Sequence, residues 1–268
     1  MIRNAVPLAL LGLTGCLSSP QTSTNENELQ ASERAAIDAA VETIESLTVA
    51  GNSVQGSTSI PLDSQTAREK EMPTLGSCPA VSVDASKLTN LTLQMTLDYG
   101  SQGCTPFEGD HMVSGSATGT LRLLEQNLVV TFHDLESDSR SLQGGLEVDF
   151  ARSDNELALD GTWELATSSV ASAGTGIVAF DAETGATTIR NYAGTATTDE
   201  GDWSLTTDSL MLAPVTHENF IPFDGALQLS AVPTRVISVT FDQDSPSTGL
   251  VTVQINDGPT QEVSLFQL

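Results

Sequence analysis

Leu91-Thr92-Leu93-Gln94-Met95-Thr96-Leu97-Asp98-Tyr99 is the stretch that decides the fold class. Apolar and polar residues alternate at every step, and a period of two places one set on each face of an extended strand. Strands with one dry and one wet face are the mark of an antiparallel sheet. The same alternation returns in Leu128, Val130 and Phe132, in Leu146, Val148 and Phe150, and in Leu157, Leu159, Trp163 and Leu165, where Gly161 keeps the phase. It continues in Ile237, Val239 and Phe241 and in Val251, Val253 and Ile255. Asp154-Asn155, Thr184-Gly185, Asp224-Gly225 and Asp257-Gly258 punctuate the runs as turn residues. Residues 75–268 are therefore expected to form an all-β domain. It reads as an antiparallel sheet of about a dozen strands, folded as a sandwich or an incomplete barrel, with no helical period. Glycine-led strands recur, as in Gly145-Leu146-Glu147-Val148, Gly201-Asp202-Trp203 and Gly249-Leu250-Val251. Their spacing is too irregular for a repeat array and reads as recurrent hairpin chemistry.

Upstream the period changes. Leu29, Ile37, Val41, Ile44 and Leu47 recur at three- and four-residue steps among alanines, which places an apolar stripe on one side of a helix over residues 28–50. Ser32, just before Glu33, suits a cap, and Gly51 suits a stop. The stripe is expected to pack on the body of the protein. Residues 51–74, rich in Ser, Gly, Gln and Pro, read as a linker, and the polar residues 16–27 as a flexible tether.

The chain opens with Arg3 and an uncharged run from Ala5 to Leu13, too short for a bilayer span of about 20 residues but suited to a secretory signal over residues 1–15. Leu13-Thr14-Gly15-Cys16 resembles the lipobox of bacterial lipoproteins. That resemblance implies cleavage before Cys16, acylation (palmitate among the acyl chains) of Cys16, and anchoring in the membrane through the acylated residue. More than one acyl chain makes such an anchor stable. Leu17 in the following position, where an Asp would signal otherwise, implies the outer membrane. With Cys16 claimed by lipid, Cys78 and Cys104 remain in an oxidising compartment, and a disulfide is their natural pairing. It would stabilise by roughly 3–4 kcal/mol in the chain-entropy model. A two-cysteine metal site is the alternative, but neither cysteine sits in a CxxC pair.

A second resemblance covers residues 76–150. Cys78-Pro79-Ala80-Val81-Ser82-Val83, then Leu97-Asp98-Tyr99-Gly100 and Gly103-Cys104-Thr105, is similar to a family of uncharacterised β-rich bacterial lipoproteins. In that family a glycine-rich strand and a hairpin follow, as residues 115–123 and 131–135 do here. The resemblance implies a β-rich lipoprotein domain and transfers no functional residue, since these strands are more acidic and richer in threonine.

Ten basic residues face 35 acidic ones, a formal charge of −25, and the only lysines are Lys70 and Lys87. Such a surface repels nucleic acid and anionic lipid headgroups. The three histidines, His111, His133 and His217, share no metal-ligand spacing. Ser114-Gly115-Ser116-Ala117-Thr118-Gly119 lacks the leading glycine and the helix of a nucleophile elbow. Asp242-Gln243-Asp244-Ser245-Pro246-Ser247 and Asp199-Glu200-Gly201-Asp202 offer oxygen ligands but follow no calcium-loop pattern and read as solvated turns. Only 12 aromatics are present, too few for the girdles of an outer-membrane barrel. The expectation is a lipid-anchored cell-envelope lipoprotein with no catalytic residue, metal or cofactor, serving a structural or interaction role toward an envelope protein or glycan. The alternatives are a binding module for a polysaccharide, lipid or protein, and then a hydrolase.

Overall fold

The computed structural model describes residues 29–55, 78–89, 91–104, 112–137, 140–213, 220–231 and 235–267. One helix, α1 (Ala31–Gln55), precedes thirteen strands: β1 (Ala80–Thr89), β2 (Thr92–Cys104), β3 (Val113–Arg122), β4 (Asn127–Ser137), β5 (Arg140–Arg152), β6 (Glu156–Ala166), β7 (Ala171–Asp181), β8 (Thr187–Thr198), β9 (Gly201–Leu212), β10 (Asp224–Ala231), β11 (Arg235–Phe241), β12 (Leu250–Ile255) and β13 (Thr260–Ser264). They form one antiparallel sheet in strict chain order, each strand paired to the next, so the domain is all-β as its period-two runs predict. Two short helical pieces depart from that reading: α2 (Ser245–Thr248) between β11 and β12, and a 3-10 turn at Leu265–Gln267.

The two faces of the sheet follow the alternation. One row of register partners on β5 to β10 runs Glu147, Thr162, Thr175, Ala193, Thr206 and Gln228, all exposed. A row on the opposite face runs Leu146, Trp163, Gly174, Gly194, Leu205 and Leu229. The two glycines would leave a gap in this inner row, and the Tyr192 ring fills it: its hydroxyl lies 2.7 and 2.5 Å from where a Cβ on Gly174 or Gly194 would stand.

The inner face encloses α1. The Phe180 ring on β7 packs on Gly51, leaving only 2.9 Å for an added Cβ. Two residues on, and about 200° round the helix, the Tyr99 hydroxyl on β2 donates to the Ser53 carbonyl at 3.0 Å. In a flat sheet β2 and β7 would stand about 24 Å apart, more than twice the width of a helix. The sheet must therefore curl round the end of α1. Among the described residues no pairing joins β13 to β1, so the sheet is open at that edge.

Enclosure changes the helix from the one-sided element its stripe predicts. Leu29, Ile37, Ile44 and Leu47 are buried, but so are Thr43, Ser46, Thr48, Asn52 and Ser53 off the stripe. The hydroxyls are tolerated because several bond to the helix's own carbonyls: Thr43 to Ala39 at 2.8 Å, Thr48 to Ile44 at 2.8 Å and Ser53 to Ala50 at 2.7 Å. The helix also runs through Gly51 to Gln55 rather than stopping at residue 50, so 51–55 are helical and not linker. Gly51 is there because the Phe180 ring leaves no room for a side chain. At the start, Ser32 is not the cap. Ala31 is the first helical residue, and the Gln30 N–H donates to Glu33 Oε2 at 2.7 Å, half of a capping box.

Two turn assignments also change. Leu91 heads the alternation in sequence, yet it sits in the turn between β1 and β2 with φ 57° and is exposed. Asp224-Gly225 is the start of β10 rather than a turn. Gly225 has φ 111°, and a Cβ there would stand 2.2 Å from the Ser209 carbonyl oxygen, so glycine answers a close strand approach.

Candidate functional site

Cys78 and Cys104 form the expected disulfide, with Cα atoms 5.5 Å apart, and tie the entry of β1 to the exit of β2. Cys16, the leader, the tether, most of the linker, His111 and His217 lie outside the described residues. His133 is exposed on the outer wall, where its Nε2 lies 3.0 Å from Thr118 Oγ1 on the neighbouring strand. The run Ser114 to Gly119 lies within β3, an extended strand and not an elbow.

Two of the acidic turns, those of Asp242 and Asp181, spend a carboxylate oxygen on their own backbone. Asp242 Oδ1 accepts from the Asp244 and Ser245 N–H groups, both at 3.0 Å, and from Ser245 Oγ at 3.2 Å. Asp181 Oδ1 accepts from the Thr184 N–H at 2.7 Å, Thr184 Oγ1 at 2.8 Å and the Glu183 N–H at 3.0 Å. These bonds, those of Thr184 first, hold the Asp181 carboxyl below its usual range. In the Asp199–Asp202 turn it is the Thr198 hydroxyl that accepts from the Glu200 N–H. Among the described residues no group of three or more His, Cys, Asp or Glu is placed to hold a metal ion. No helix among them is long and apolar enough to cross a membrane.

Polar chemistry that the sequence did not single out gathers where α1 enters the sheet. Glu33 is 1% exposed, and its Oε1 lies 2.7 Å from Arg235 Nη2 at the start of β11. The approach is off the hydrogen-bonding direction, since Oε1 has no hydrogen-bond partner, so the contact acts as an ion pair. Arg235 Nη1 also donates to Gln30 Oε1 at 2.8 Å. Farther along the helix Glu42 accepts from the Thr167 hydroxyl, and Ser169 Oγ lies 2.8 and 3.0 Å from its two oxygens, so the turn between β6 and β7 clasps the helix. Asp38, one turn before Glu42, has its carboxyl pushed above the usual range by partial burial and then by the Glu42 charge, with Arg34 opposing. Glu33 and Arg235 are 202 residues apart and Glu42 and Thr167 are 125 apart, so no local spacing could announce either pair.

Deeper inside, burial alone raises the Tyr192 phenol to about 12, and its hydroxyl has no hydrogen-bond partner among the described residues. Burial also raises the Tyr99 phenol. Both tyrosines and the Trp163 indole, which donates to the Gly176 carbonyl at 3.2 Å, serve the packing round α1.

A scan against protein-family models, a search of curated proteins and a search of solved structures each returned no match for this chain.

Proposed function

We propose that the chain is a lipid-anchored extracytoplasmic lipoprotein of the cell envelope, acylated at Cys16, with a noncatalytic interaction role. The Cys78–Cys104 bond is the observation that supports it most. It belongs to an oxidising compartment and consumes both other cysteines, leaving Cys16, inside the Leu13-Thr14-Gly15-Cys16 sequence, as the remaining thiol. The outer wall of hydroxyls, amides and carboxylates suits an aqueous setting, the reverse of the lipid-facing apolar band of a membrane barrel. A noncatalytic role fits the placement of the described polar groups. His133 stands exposed with a threonine, and the carboxylates that accept several bonds are committed to turns or to holding α1. Catalysis instead asks for groups converging on a sheltered point.

Metabolic labelling with an alkyne fatty acid tests the anchor. The wild-type chain takes up label and stays with membranes, whereas Cys16→Ser is unlabelled and released. Label that persists in Cys16→Ser contradicts the reading.

A further inference from the structure

Two carboxylates hold α1 where it enters the sheet, and they do so from opposite sides. Glu33 and Glu42 are nine residues apart, which places them about half a turn from each other round the helix axis. On one side the buried Glu33 carboxylate pairs with Arg235 Nη2 at 2.7 Å, at the start of β11. On the other, Glu42 accepts from the Thr167 hydroxyl and from Ser169 Oγ at 2.8 and 3.0 Å, in the turn between β6 and β7.

The sheet side of both clasps keeps its form in acid, since a guanidinium stays charged and hydroxyls stay neutral. Only the helix side titrates. A protonated Glu33 has no charge to set against Arg235, leaving the neutral bond from Arg235 Nη1 to Gln30 Oε1 at 2.8 Å. A protonated Glu42 turns one acceptor oxygen into a donor and loses the charge that strengthens its bonds to the two hydroxyls. Along the helix Asp38 stands against Glu42, and Arg34 against Asp38. Neutralising Asp38 removes a repulsion from Glu42, so it tightens the mouth. The inner half has no comparable handle. Residues 43–54 hold one acid, Glu45, and their hydroxyl bonds run to the helix's own carbonyls. They also bury Ile44, Leu47, Val49 and Val54, against Leu29, Ile37 and three alanines in the mouth half, so polar clasps carry more of the hold at the mouth.

We propose that the mouth is an acid-operated latch: protonating Glu33 and Glu42 loosens residues 29–42 on the sheet while residues 43–54 stay enclosed. Acid also brings the net charge of −25 toward zero, which relaxes self-repulsion elsewhere on the surface. The latch therefore opens without the sheet unfolding, and the chain ahead of residue 43 gains reach. The proposal goes beyond the interaction role and uses neither that role nor the lipid anchor.

The test is amide hydrogen exchange by mass spectrometry on the full chain carrying Cys16→Ser, corrected for the intrinsic effect of pH. At neutral pH, Glu33→Gln with Glu42→Gln imitates the protonated pair. Exchange over residues 31–42 rises about tenfold, the scale of losing one charge-assisted contact, while residues 43–54 keep the parent's protection. The parent at about pH 3.5, below the ordinary carboxylate range, shows the same pattern. Acid adds little to the double variant, and Asp38→Asn stays as protected as the parent. The proposal is overturned if the double variant exchanges like the parent at neutral pH, or if acid opens it as much as it opens the parent. It is overturned too if acid exposes residues 43–54 as far as residues 31–42.

Discussion

The two halves of α1 are held in different ways. Its first turns lie at the mouth of the curled sheet, where Arg34 and Asp38 meet solvent and charged or hydroxyl groups hold Glu33 and Glu42. Over residues 43–54 all but Glu45 are buried, and the contacts are a ring on Gly51, aliphatic packing, and hydroxyls turned back on the helix's own carbonyls. A helix with so many hydroxyls has little intrinsic claim to a core. It occupies one because the sheet surrounds it and the hydroxyls of Thr43, Thr48 and Ser53 bond to the helix's own carbonyls. Enclosure, more than amphipathicity, makes the inner half the more stable part.

The sharpest way to break this contrast is to truncate the enclosed half. Leu47→Ala is expected to cost roughly 3 kcal/mol, by lost transfer energy and the cavity left behind. Arg34→Ala at the mouth should change stability by no more than about 0.5 kcal/mol. Urea titrations of both compare them directly, and equal losses would mean that the helix lies on the sheet instead of inside it.

At the mouth itself the largest effect belongs to Arg235. Arg235→Ala leaves the buried Glu33 carboxylate without its ion pair, at a cost of about 2 kcal/mol. That is less than a fully buried pair would lose, because the Arg235 side chain is 38% exposed. Glu33→Gln in the same chain should recover part of the loss. A double-mutant cycle that shows strict additivity would contradict the pairing.

A smaller effect, of opposite sign, is expected at Asp38. Its carboxyl is raised in the folded state, so the charged form costs stability at neutral pH, and the cost fades as pH falls through the folded value toward the ordinary carboxylate range. Asp38→Asn should therefore be slightly more stable than the parent at pH 7 and lose that advantage in acid. Thermal melts across pH read the difference, and an advantage that grows in acid would have the wrong sign.

The sheet was largely legible because each strand has one dry face, and period two survives wherever that holds. Leu128 to Phe132 and Ile237 to Phe241 need no partner to be recognised. The disulfide was legible for another reason: once Cys16 was set aside, two cysteines allow one pairing. Leu91 misled because an apolar residue at the tip of a turn keeps the alternation going by chance, and Asp224-Gly225 because glycine serves close strand approach as well as turns. The burial of Thr43, Thr48 and Ser53 was not readable, since it depends on strands more than forty residues downstream curling back round the helix. The polar clasps on Glu33 and Glu42 were hidden for the same reason.

The measurement that bears most directly on enclosure is native-state amide hydrogen exchange of the full chain, resolved along α1. Residues 43–54 should exchange only through global unfolding, with protection matching the stability from urea titration. Residues 31–35 should exchange through local fraying at much lower free energy. Uniform, weak protection across the helix, with 43–54 exchanging as readily as 31–35, would contradict a sheet wrapped round α1.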